Sequence, residues 1–214
     1  MPASQRPLLS ISVALAVLPL ALAGCTTVVA TPVTPSTSAP TAAPIEVNKP
    51  ANEPAPPASD FVRVSDDSGI VSVNVPTSWS DLSGTQLTNS DGVQFYNVTA
   101  SPDLASWQSG WTVPGVSVSS TQDTSIVIDD LINGTISGVG AECDTPEKGD
   151  YDDGVYVGTY VYFTNCGGVD TDYLSIVAQD AAQTHVIVAS IQMVSAEDKS
   201  TVRDEILNSF WAIY

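Results

Sequence analysis

Proline placement decides how much of this chain can fold. Prolines stand at 32, 35, 40, 44, 50, 54, 56 and 57, in a stretch from 26 to 59 whose other residues are mostly Thr, Ala and Ser. Each proline fixes φ and removes a backbone donor. With few large apolar side chains to bury, the stretch cannot offset the entropy lost on ordering. Residues 25–59 therefore read as a disordered linker, on the order of 100 Å long if fully extended and roughly 35 Å as a coil. What can fold is the remainder, residues 60–214, which is enough for one domain with its own core.

Within 60–214 strand and helix signals alternate. Ile70 to Val75 has a period of two and stops at Pro76, and Gly92 to Val98 reads as a second strand. Ser101-Pro102-Asp103 predicts a short helix through Trp107, with Ser101 as cap and proline in the first turn. Val116 to Ser119 reads as a strand, and Ser125 to Ile132 as a helix. Tyr151 to Thr164, Tyr173 to Gln179 and Thr184 to Val194 are the strongest strands, rich in β-branched and aromatic residues, and are expected to form an antiparallel meander. A last helix opens on a capping box of Ser195 with Asp198 and presents Val202, Ile206, Leu207 and Phe210 on one face.

The N-terminus carries an address. After Arg6 an apolar run extends from Leu8 to Leu22, shorter than the roughly 20 residues that span a bilayer, and ends in Leu22-Ala23-Gly24-Cys25. That ending resembles the lipobox of bacterial lipoproteins. The resemblance implies that residues 1–24 are a signal peptide and that Cys25 is lipidated, which places the protein on the extracytoplasmic face of the cell membrane. A single acyl chain anchors only marginally, so two or three chains on Cys25 are implied. Of the three cysteines, Cys143 and Cys166 then remain, and in an oxidising compartment they are expected to form a disulfide; two buried free thiols are the alternative.

Further short motifs follow in order: Asp67-Ser68-Gly69, Val75-Pro76 with Trp79, Ser101-Pro102-Asp103-Leu104 and Pro114-Gly115-Val116. After them come the cysteine pair, Gly154-Val155-Tyr156-Val157-Gly158, Cys166-Gly167-Gly168 and Ile206-Leu207-Asn208-Ser209-Phe210. Together they resemble an extracytoplasmic domain of actinobacterial lipoproteins of the LpqN type, which is similar in fold to the PsbP family. The resemblance covers nearly all of 60–214. It implies an α+β fold, an antiparallel sheet of about six strands flanked by helices on both faces in a PsbP-like α/β/α sandwich. It also implies a binding or accessory module rather than a catalyst.

The residues themselves agree with a non-enzyme. The one histidine, His185, shares a strand face with Ile187, Ala189 and Ile191, and nothing in the sequence places a nucleophile beside it. No zinc spacing, phosphate loop or HExxH motif occurs, so neither a metal nor a cofactor is expected. Glu142, Asp144, Glu147, Asp150, Asp152 and Asp153 crowd twelve positions, and the Asp150 to Gly154 stretch superficially resembles a calcium loop, but its glycine comes one position early. A solvated acidic turn is the plainer reading, with weak cation binding the alternative. The domain sets Arg63, Lys148, Lys199 and Arg203 against 22 acidic residues, a net charge of −18. That balance excludes nucleic acid and disfavours anionic headgroups.

One surface stands out. Tyr156, Tyr160 and Tyr162 fall on one face of a strand, with Val155, Val157, Val161 and Phe163 on the other. Either helices bury both faces, or part of the tyrosine face joins Trp107 and Trp111 in lining a pocket or partner surface. The expected function is a non-catalytic binding or accessory module for an envelope protein partner. The alternatives are a carrier or sensor of an apolar envelope ligand and, more remotely, a hydrolase.

Overall fold

The computed structural model describes residues 56–214 and, for backbone only, Ile45 and Glu46. The signal peptide, Cys25 and the rest of the linker lie outside the described residues. In chain order the elements are β1 (Ile45–Glu46), β2 (Phe61–Ser65), β3 (Val71–Pro76), β4 (Asp81–Ser83), β5 (Leu87–Thr88) and β6 (Gln94–Ser101), then α1 (Leu104–Ser109), β7 (Gly115–Thr121) and α2 (Ile128–Val139). They continue as β8 (Glu147–Asp152), β9 (Tyr156–Phe163), β10 (Asp172–Asp180), β11 (Val186–Met193), α3 (Arg203–Ser209) and β12 (Trp211–Ala212).

The strands make two sheets, and the fold is a sheet-rich α+β arrangement. The larger has nine strands in the order β1-β8-β9-β10-β11-β7-β6-β4, with β5 also beside β6. Its body is the six long strands from β8 to β6, all antiparallel to their neighbours. The expected meander is there as β8-β9-β10-β11. The smaller sheet, β12-β3-β2, was not legible as a separate layer, because the Ile70 to Val75 pattern shows a strand but not its neighbours.

Two cores follow from the alternation along the long strands. On one face Val98, Ala100, Val116, Val118, Leu174 and Ile176 pack with Val71, Val73 and Val75 of the small sheet and with Ile206, Leu207 and Phe210. On the other face α2 lies over β9 and β10, with Ile132 buried against Val161, Phe163 and Val177. β3 is buried from Val71 to Val75, and α3 packs against it. There the buried Asn74 donates its N–H to Ser209 Oγ (2.9 Å) and its Nδ2 to Glu205 (2.8 Å), so the polar residue is satisfied inside the fold.

Several element boundaries differ from the sequence reading. The run from Tyr151 to Thr164 is a hairpin rather than one strand. Asp152 Oδ1 accepts the Gly154 N–H, Asp153 Oδ1 accepts those of Val155 and Tyr156, and Gly154 turns the chain at φ +82°. The cap of α1 is Asp103, whose Oδ1 accepts the Ser106 N–H (3.0 Å), while Ser101 Oγ donates to the Pro114 carbonyl. α2 starts three residues after Ser125 because Asp123 accepts both the N–H and the hydroxyl of Ser125, holding a local turn. The Ser195–Asp198 capping box forms as read: Asp198 accepts the Ser195 N–H and Ser195 Oγ accepts the Asp198 N–H.

Gly158 shows why one motif glycine sits in β9. A Cβ placed there would stand 2.1 Å from the Val177 carbonyl oxygen and 2.6 Å from Ala178 Cα, so only glycine allows β9 and β10 to approach this closely.

Candidate functional site

The five aromatic residues expected to share a surface do not meet. Tyr156 and Tyr160 are 1% and 2% exposed and belong to the core beneath the small sheet. Tyr156 stacks on Phe210 at 5.6 Å, and its hydroxyl accepts the Ala212 N–H at 3.0 Å. Tyr160 donates to Glu147 at 2.9 Å, and half-buried Tyr162 donates to Asp172. Burial pushes all three phenols up, Tyr160 to about 12 with help from its Glu147 hydrogen bond. Trp111 lies on the opposite face, in the α2 core, edge-on to Tyr173 at 6.0 Å and donating to Glu142 at 2.6 Å. The division into two faces was read correctly, but tyrosines and tryptophans are separated by the thickness of the sheet.

His185 is a core residue at the end of the main sheet. It is 7% exposed, with the Tyr156 ring edge-on at 5.7 Å and the Tyr214 ring at 5.0 Å. Its Nδ1 lies 3.0 Å from Thr184 Oγ1 and 3.5 Å from Asp180 Oδ1, and its Nε2 3.5 Å from the Tyr156 hydroxyl. Burial lowers the imidazole pKa and the neighbouring Asp180 partly opposes this. The carboxylate of Asp180 is itself disfavoured by burial, but the N–H groups of His185 and Thr184 hold it below the usual range.

The acidic segment is dispersed along β8 and its flanks, not gathered into a cage. Glu142 binds the Trp111 indole, Asp144 accepts from Asn165, Glu147 from Tyr160, and fully buried Asp153 from Tyr151 at 2.9 Å. Among the described residues no three potential metal ligands come together. Cys143 and Cys166 are joined as a disulfide, closing a 23-residue separation across the start of β8 and the turn after β9.

A different surface emerges on the α2 face of the main sheet. α2 packs on β9 and β10 and α1 contacts β6, and between them runs a strip of side chains from β6, β7 and β11 in which Asn97 and Thr99 are buried and Ser117, Ser119 and Ser190 half-buried. Here Val98, Ala100, Val116 and Val118 point into the core, while Asn97, Thr99, Ser117 and Ser119 point the other way. Ser117 and Ser119 each donate to Asn97 Oδ1, at 2.9 and 2.8 Å, and Asn97 Nδ2 donates to Thr99 Oγ1 at 3.1 Å. On β11 Ser190, opposite Ser117, continues the row, its hydroxyl 3.4 Å from that of Ser175.

At one end of the strip the half-buried Trp107 indole lies over Gly115, where a Cβ would stand 2.7 Å from Nε1. Gln192 is the register partner of Gly115 and donates to the Gly110 and Val113 carbonyls. Trp107 Nε1 and Gln192 Oε1 are buried with no hydrogen-bond partner. On the same face, at the start of α2, an open cleft of about 420 Å³ is lined by residues 124–129 with Gly158, Thr159 and Gln179. Sequence reasoning passed over the strip, although the alternation of Asn97, Thr99 and Ser101 with valine and alanine, repeated in Ser117, Ser119 and Thr121, carries its signal.

No protein-family model matches this chain, and no curated protein matches it. None of the described helices is long and apolar enough to cross a membrane.

Proposed function

We propose that this protein is a non-catalytic binding module of the cell envelope, held at the outer face of a membrane by lipidated Cys25 on the 25–59 linker. In this reading the 60–214 domain is a PsbP-like α/β/α unit in which α3 stands for the second helical layer. The observation that carries the proposal is the polar strip on the α2 face. It presents half-buried hydroxyls on rigid strands, whereas His185 is buried and Glu142, Asp144, Glu147 and Asp153 accept hydrogen bonds from other side chains of the fold. A carrier of an apolar ligand ranks below it, because the tyrosine face that would line such a cavity is packed solid against Phe210 and the small sheet.

The test is capture of envelope components by the immobilised full chain. Ser119→Trp, which fills the strip, is expected to abolish specific capture, while Tyr160→Phe, inside the core, leaves it unchanged. Hydrolysis of an envelope substrate that disappears in a folded His185→Ala variant would overturn the proposal, as would capture indifferent to Ser119→Trp.

A further inference from the structure

We infer that the strip formed by Asn97, Ser117, Ser119 and Ser190 is a binding surface for an uncharged polyhydroxylated chain, a neutral glycan. The inference rests on the binding-module reading and names its ligand class. The hydrogen bonds of the strip fix its polarity. Because half-buried Ser117 and Ser119 both commit their protons to Asn97 Oδ1, their oxygens have only lone pairs to offer a ligand, as acceptors. Asn97 and Thr99, 3% and 6% exposed, lie beneath them and hold the serines in place. Alternate residues on one strand lie roughly 7 Å apart and neighbouring strands about 4.8 Å apart, so the strip is a rigid grid of small polar groups.

Charge and shape select against other ligands. The domain carries −18, and its basic side chains are engaged: Lys148 with Asp129, Lys199 with Asp170 and Asp172, Arg203 with Asp204 and Arg63 with Asn74. Anionic polymers and headgroups therefore meet repulsion and no free cation. An extended peptide would seek unpaired backbone, but β6, β7 and β11 have neighbours on both sides. A lipid tail would find hydroxyls where it needs hydrocarbon.

The end of the strip fits a sugar best. The half-buried Trp107 indole offers a flat apolar edge, and beside it an unpartnered donor, Trp107 Nε1, and an unpartnered acceptor, Gln192 Oε1, occupy the Gly115–Gln192 pair. A sugar hydroxyl has the chemistry to accept from the indole N–H or to donate to the carboxamide oxygen. No residue of α1 is fully buried, and the half-buried Trp107, packed on Gly115, borders the strip at this end.

Affinity electrophoresis of the full chain in detergent tests the inference, with linear dextran, mannan, galactan or xylan cast in the gel and dextran sulfate as the charged control. Retardation by at least one neutral polymer and none by dextran sulfate is expected. Ser117→Ala with Ser119→Ala should weaken it at least fivefold. Because that pair strips Asn97 of its partners, Ser117→Thr with Ser119→Thr is the companion variant: it keeps both hydroxyls and adds two methyl groups to the floor, with the same expected loss. No retardation by any neutral polymer, or equal retardation of wild type and both variants, overturns the glycan assignment. If capture in the preceding experiment still depends on Ser119, the binding-module reading survives that failure.

Discussion

At the scale of single residues, His185 converts burial into a pH dependence. The unfolded chain takes up a proton near the ordinary histidine value of about 6.5. The folded chain resists protonation, chiefly because the ring is desolvated, with Asp180 opposing in part. The folded pKa is thus the lower of the two, so the stabilising effect is complete above about pH 6.5 and is lost as pH falls through the lowered folded value. Thermal unfolding at pH 7.5 and pH 5.5 is expected to show a lower midpoint at the acid pH, and His185→Gln should flatten the difference; an equal slope in the variant would assign the effect elsewhere. Asp180, also depressed, contributes in the same direction but only at pH values below the ordinary carboxylate range. The face on which His185 lies was readable from its alternation with Ile187 and Ala189. Its lid was not, because Tyr214 reaches it from the other end of the domain.

At the scale of elements, the disulfide joins the segment between α2 and β8 to the turn after β9. Trp111 packs in the same core as both cysteines, and Gly167 donates its N–H to the Glu142 carbonyl. Closing 23 residues of chain restricts the unfolded state and stabilises the fold by about 3 kcal/mol. Cys143→Ser with Cys166→Ser is expected to lose about that much in urea unfolding, and unreduced peptide mapping should recover the pair linked. β7, where valine alternates with serine, and β10 and β11, rich in β-branched and aromatic residues, were legible to within two residues at each end. β8 was not, since Glu147-Lys148-Gly149-Asp150 has no apolar rhythm: the inward position next to Tyr160 is Gly149, where a Cβ would collide with the ring at 2.6 Å. The polar strip escaped notice for a related reason. A strand half valine and half serine reads as an ordinary solvent-facing strand until the position of α2 shows which part of the face is left open.

At the scale of the whole molecule, the proposed lipid anchor can be tested apart from the domain. Cys25→Ala is expected to shift the protein from the membrane fraction to the soluble fraction, or to leave a precursor that retains residues 1–24; unchanged processing and retention would remove the lipid anchor from the account. The small sheet raises a matter of timing. Its third strand is β12, Ala212 donates its N–H to the Tyr156 hydroxyl, Ile213 donates to the Ile70 carbonyl, and the Tyr214 hydroxyl reaches Ser120. Residues 211–214 therefore fasten the earliest strands of the domain to the middle of the main sheet. A chain emerging N-terminus first from a ribosome cannot complete the small sheet until residues 211–214 are free, so the earliest strands of the domain wait on a segment made about 140 residues later.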